Sequence, residues 1–141
     1  MDNQQGKTAW LAGLIDGEGW LGIRRNKRKN GVYVQPCFKL SMTSYPTLRY
    51  IESNFDFPFH IEHYEGRRKQ NKKERGHNYW TLTVYGFRRI LKFLPLVRDW
   101  LVTKQHFADY LIELSESRIE RYKQPYTDRE WELIELLSNQ R

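Results

Sequence analysis

The chain has 141 residues, a formal net charge of +7, 15% aromatic residues and a single cysteine, Cys37. That length suits one domain with a real core, the charge points to a polyanionic partner such as nucleic acid, and a lone thiol excludes an internal disulfide while no Cys/His cluster offers a zinc site. The start, Met1 to Thr8, is polar and has no signal-peptide pattern, and the apolar run after it is too short to span a bilayer; an intracellular chain is expected, in a bacterial cytoplasm or in an organelle such as a mitochondrion or chloroplast.

The first expected element is a helix over about 6–16, which leads into WLGIRRNKRKNGVYVQPCFKLSMTS, two extended runs around the hairpin signal Asn30-Gly31. YPTLRYIESNF follows as a short helix with Pro46 in its first turn and Leu48, Ile51 and Phe55 at helical spacing. A second strand pair, FPFHIEHYEGRRK and HNYWTLTVYG, flanks a linker loaded with Arg67, Arg68, Lys69, Lys72, Lys73 and Arg75. The rest is helical: FRRILKFL, then DWLVTKQHFADYLIELSESRIERY, then TDREWELIELLSNQ, where Thr127 and Glu130 are spaced as a capping box. The whole reads as one domain, 1–141, with a core over about 7–116 and a helical extension over 117–141 that adds packing.

Each strand alternates. Leu21 and Ile23 share one parity, Arg24, Asn26 and Arg28 the other; Phe38, Leu40 and Met42 oppose Tyr33, Gln35, Cys37, Lys39 and Ser41. Phe59 and Ile61 oppose His60, Glu62 and Tyr64, while Trp80, Leu82 and Val84 oppose Tyr79, Thr81 and Thr83. An antiparallel sheet with helices on its apolar side leaves the polar face open. Basic tips, including Lys29, Arg67, Arg68, Lys72 and Lys73, would add positive charge at its ends. Such a surface suits a DNA groove, with alternate side chains reaching base edges and the tips engaging phosphates. By itself it is also what an ordinary solvated sheet looks like.

The stretch LAGLIDGEG, Leu11 to Gly19, poses a different problem. On a helix turning about 100° per residue, Ala9, Ala12, Gly13, Asp16 and Gly17 fall on one half and Trp10, Leu11, Leu14 and Ile15 on the other. The large half suits the chain's own sheet, and the small half suits close approach by the same helix of a second subunit about a two-fold axis. The acids Asp16 and Glu18 sit at the negative end of the helix, where a cation should compensate them. Mg²⁺, held by carboxylates and waters, does so and would support phosphodiester hydrolysis. A Gly-Glu-Gly helix stop with a solvated glutamate is the plainer alternative.

LAGLIDGEG resembles the signature of the LAGLIDADG homing endonucleases, matching that nine-residue name except for Gly17 and Glu18. The resemblance implies an α+β fold, an αββαββα core over about 7–116 with a saddle-shaped antiparallel sheet and additional C-terminal helices. For a single-motif member it implies a homodimer that cuts both strands of a long pseudo-palindromic DNA target across the minor groove, its sheets reading the major groove on either side. Glu18 and the Gly17 carbonyl would be metal ligands, for Mg²⁺ with Mn²⁺ or Ca²⁺ as substitutes in vitro. Glu18 and Lys104 would be catalytic, a water-positioning polar residue falls near Ser44, and Ala9, Ala12, Gly13 and Asp16 would lie at the dimer interface. A relative that binds DNA or RNA without cutting, such as an intron-splicing maturase or a transcriptional regulator, is the rival expectation, and retention of Glu18 argues against it.

Overall fold

In the computed structural model, residues 3–29, 31–65 and 78–140 are described. The element order is α1 (Asn3–Glu18), β1 (Gly19–Arg28), β2 (Gly31–Met42), α2 (Tyr45–Asn54), β3 (His60–Tyr64), β4 (Tyr79–Tyr85), α3 (Phe87–Val97), a 3-10 turn (Arg98–Trp100), α4 (Gln105–Glu120) and α5 (Asp128–Ser138). This is the expected order of helices and strands. Arg67, Arg68, Lys72 and Lys73, assigned to DNA above, lie outside the described residues, as does Asn30.

The strands form one antiparallel sheet in the order β1-β2-β4-β3. Its register aligns the apolar parities of all four: Leu21 faces Phe38, Phe38 faces Val84, Leu40 faces Leu82 and Leu82 faces Ile61. Period-two alternation then produces a continuous apolar sheet face, which the helices cover. Phe93 of α3 packs on Phe38 and Phe57 with ring centroids 4.7 and 4.5 Å away. Leu11 and Ile15 of α1, Leu111 and Leu114 of α4, and Leu133, Ile134 and Leu137 of α5 complete the core. At this density, deleting one of these side chains costs about 2–5 kcal/mol.

The last helix is part of that core. Arg25, on the apolar parity of β1, reaches Glu135 (3.2 Å) and Ser138 (3.0 Å) of α5, and the Gln140 amide donates to the Leu21 carbonyl at 2.6 Å. The capping box of Thr127 and Glu130 forms as the spacing predicts. Glu130 is 1% exposed and accepts from the Ser117 hydroxyl, the Arg118 guanidinium and the Thr127 N–H. Burial pushes its pKa up, but the Thr127, Ser117 and Arg118 interactions outweigh burial and hold it below the ordinary 4.5. A depressed folded-state pKa stabilises at pH above the ordinary value, and the contribution disappears as pH falls through the folded one. Glu130→Ala is expected to lower stability by about 3 kcal/mol at neutral pH, because Arg118, largely buried, loses its counter-charge. The deficit relative to wild type shrinks as acid protonates Glu130, and parallel thermal melts at pH 7 and pH 3 measure it; an equal deficit at both values contradicts the charge argument.

One helix starts later than its sequence suggests. The run from Asp99 reads as helical, yet α3 ends at Val97, a single 3-10 turn follows, Leu101 is extended and α4 begins only at Gln105. The cause is remote. The Asp16 carboxylate accepts from the backbone N–H groups of Val102 (2.8 Å) and Lys104 (2.9 Å), which fixes a non-helical turn there.

Candidate nuclease and nucleic-acid interface

The LAGLIDGEG stretch ends α1 and begins β1, so its acids sit where the helix runs into the sheet. A side chain at Gly19 would place its Cβ 3.0 Å from the Ile15 carbonyl and 3.1 Å from the Phe38 ring. Glycine lets the chain pass there without displacing either neighbour. On the outer side of the helix, Gly13 and Gly17 have nothing within 4 Å of where a Cβ would be, so the chain leaves that surface open.

The helix is rotated from the size-sorted expectation. Leu11 and Ile15 are buried as expected, but Ala12 is buried with them at 0% exposure, which removes it from any interface with a second copy. Trp10 lies on the outer surface, 41% exposed, edge-on to Tyr50 of α2 at 4.9 Å. Ala9 is half-buried, and Gly13 is exposed. Asp16 has a structural role within the chain: its two carboxylate oxygens accept from the Val102 and Lys104 N–H groups and clamp the segment before α4.

That clamp positions Lys104. It caps the N-terminus of α4, the second α-helix after β4, and its Nζ donates to the Asp16 carbonyl at 2.6 Å. The carbonyl belongs to the last turn of α1, whose free backbone oxygens carry partial negative charge, so an ammonium there is favoured by about 0.3–1 kcal/mol. Glu18 closes the same turn. It is exposed and, among the described residues, has no hydrogen-bond or ion-pair partner. A carboxylate at the negative end of a helix with no cation of its own, beside an Asp16 that already accepts from two backbone N–H groups, is electrostatically incomplete. The oxygen donors at this end, the Glu18 carboxylate and terminal carbonyls, are the hard ligands that Mg²⁺ takes. Among the described residues no group of three or more His, Cys, Asp or Glu converges as a ready metal cluster. Ser44 is the N-cap of α2, and its hydroxyl lies 2.8 Å from that of Thr47.

From this end the polar sheet face extends. The register places Arg24 opposite Gln35, Asn26 opposite Tyr33, Lys39 opposite Thr83, and Ser41 opposite Thr81, with His60, Glu62 and Tyr64 of β3 facing Thr83, Thr81 and Tyr79. Arg28 and Lys29 lie at the far end of β1, and Arg28 stacks on the Tyr33 ring at 4.8 Å. Of the residues assigned to DNA, Thr81 and Thr83 are 7% and 4% exposed and form the floor of the face. The Thr81 hydroxyl pairs with that of Ser41 at 2.8 Å, so it supports a reader and does not itself reach outward. Cys37 lies on this face too but is fully buried, and burial pushes its thiol up to about 11. Two further residues, Trp20 and Tyr85, belong to this surface. Trp20, 37% exposed, shares the parity of Arg24, and its ring covers Gly22, where a Cβ would sit 2.4 Å from Cζ2. Tyr85 carries the Arg24 guanidinium at 4.9 Å. Parity alone would have found both.

Several other cations are tied up structurally. Arg98 forms a paired contact with Asp109 (2.6 and 2.8 Å), and Arg129 does the same with Glu113 (2.7 and 2.9 Å). The hydrogen bond from Arg98 holds the Asp109 carboxyl below its usual range despite partial burial. By contrast, Arg24, Arg28 and Lys39 lie on the sheet face and, among the described residues, form no ion pair with a carboxylate of the helices.

Comparison with known proteins agrees with this geometry. The family model described as LAGLIDADG endonuclease matches residues 11–113. No curated protein matches the sequence. Among solved structures, the archaeal intron-encoded homing endonuclease I-Vdi141I, complexed with DNA, superposes with a TM-score of 0.75 at 15% identity, over 96% of this chain and 84% of that one. The group I intron-encoded homing endonuclease I-CeuI, complexed with DNA, has a TM-score of 0.74 at 18% identity, over 99% and 70%. The homing endonuclease I-CvuI, bound to the I-CreI target in 2 mM Mg with the DNA not cleaved, has a TM-score of 0.69 at 19% identity, over 98% and 85%. At these identities the likeness speaks for the fold, and no helix of the described residues is long and apolar enough to cross a membrane. The matched span contains α1 from Leu11 to its Gly-Glu-Gly end, all four strands and Lys104; the chain belongs to the LAGLIDADG endonuclease family.

Proposed function

We propose that the protein is a site-specific double-strand DNA endonuclease that acts as a homodimer with a divalent cation, Mg²⁺ in the cell. The observation that carries this reading is Glu18: an exposed carboxylate, without a partner of its own among the described residues, at the end of a helix whose outer surface is open at Gly13 and Gly17. Glu18 and the Gly17 carbonyl would hold the cation. When bound, it supplies activated water and neutralises charge developing on the phosphate. Lys104, kept in place by the Asp16 carbonyl, adds a second positive charge near the scissile phosphate. Two copies joined along α1 would bring their Glu18 residues together over the centre of a two-fold target.

The readers in this scheme are the outward residues of the sheet: Arg24, Asn26, Arg28, Lys29, Tyr33, Gln35, Lys39, Ser41, His60, Glu62, Tyr64 and Tyr79. Solved structures of the same fold are complexed with DNA, which supports DNA as the partner, and the choice of face rests on the polar parity of the strands. The test is incubation with a plasmid library carrying candidate targets, with and without Mg²⁺. Cuts at one sequence that require the metal support the reading, and sequence-specific binding with no cutting under any divalent metal sinks it.

A further inference from the structure

Glu62 is out of place on the open face. Among the described residues it is the single carboxylate in the four strands, on a surface otherwise composed of groups that can donate or stack. Facing the phosphates of a duplex, a carboxylate is repelled unless it meets a hydrogen-bond donor. Its neighbours hold it in a fixed position: the Tyr64 hydroxyl donates to Oε2, and His60 Nε2 lies 3.4 Å from Oε1. All three residues project from the same side of β3, so the carboxylate is braced from both directions along the strand. The Glu62 side chain is still 49% exposed. A carboxylate has about four acceptor positions, and two of these remain.

The donors a duplex offers in its major groove are few. Guanine presents N7 and O6, both acceptors, and thymine presents O4 and a methyl group. Adenine has its N6 amino group beside the N7 acceptor, whose lone pair would oppose a carboxylate. Cytosine alone presents an amino donor, N4, with no acceptor on its own edge. We infer that Glu62 is a specificity-determining residue that accepts a hydrogen bond from a cytosine amino group in each half of the DNA target, with Tyr64 and His60 as its positioning residues. This rests on the reading of the sheet face as the DNA-binding surface.

The experiment is selection of a randomised duplex library by binding alone, with no cutting step, for the wild type, Glu62→Gln and Tyr64→Phe. Wild type is expected to favour cytosine about tenfold at one symmetry-related position in each half-site, in line with the discrimination a good base contact provides. In Glu62→Gln that position moves to adenine, whose N6 and N7 match an amide, and the other positions stay as they were. Tyr64→Phe is expected to weaken the cytosine preference several-fold without any gain for adenine, since the carboxylate remains but is less well held. A Glu62→Gln consensus identical to wild type at every position overturns the contact, as does a wild type that selects no sequence. Selection of a consensus that the protein then fails to cut refutes the nuclease reading and leaves the Glu62 contact standing on its base preference.

Discussion

Glu18→Gln is expected to abolish DNA cutting while leaving folding and target binding intact. The side chain is exposed and unpartnered among the described residues, so an isosteric amide disturbs no packing and breaks no ion pair. What it removes is the charge that holds a divalent cation at the end of α1. Loss of metal-assisted stabilisation worth about 4 kcal/mol corresponds to a fall in rate of about three orders of magnitude. Gel-shift titration and cleavage of the same labelled duplex separate the two effects: unchanged affinity with no product is the expected pair. Cutting by the variant at more than a tenth of the wild-type rate would remove Glu18 from the chemistry.

The contrast between Glu18 and Asp16 shows what could and could not be read from residues alone. Both acids stand at the same helix end, and their spacing gives no reason to separate them. Asp16 turns out to be committed to Val102 and Lys104, residues 86 and 88 positions further along the chain. No local pattern encodes such a contact. The same long-range clamp explains why the run from Asp99 to Lys104 fails to be helix despite a composition that permits it. Alternation fared better, because the two-residue period is a property of the strand itself: the parity of Leu21 against Arg24, carried across the register through Phe38, Val84 and Ile61, is enough to define both faces of the sheet. Parity assigns a face and says nothing of depth, and for that reason Thr81, Thr83 and Cys37 share the open side yet lie beneath longer neighbours. The capping box at Thr127 was legible because all its partners fall within four residues. The wheel for α1 erred at Trp10 and Ala12 for a related reason. Sorting by size assumes that a large ring must face the sheet, whereas Tyr50 of α2 gives the Trp10 indole an edge-on partner on the outer surface, and the tight seat beneath the helix takes the small Ala12.

Gly13→Leu tests the assembly that the chemistry requires. Within one chain the substitution is benign: beyond the local backbone of α1 itself nothing lies within 4 Å of the position its Cβ would occupy, and the backbone there is helical, with no need for glycine's freedom. Leucine at a helix interior is in fact favoured over glycine by about 0.5–1 kcal/mol, so the isolated protomer should melt no lower than wild type. Across a two-fold axis the same side chain is obstructive, because helices that meet through glycines rely on backbone approach that a leucine prevents. Sedimentation is expected to show a wild-type dimer and a Gly13→Leu monomer at equal concentration, and the monomer should lose double-strand cutting because only one Glu18 can reach the target. Thermal melts of both proteins guard against a trivial unfolding effect. A Gly13→Leu protein that remains dimeric and cuts both strands would place the interface on a different surface of the molecule.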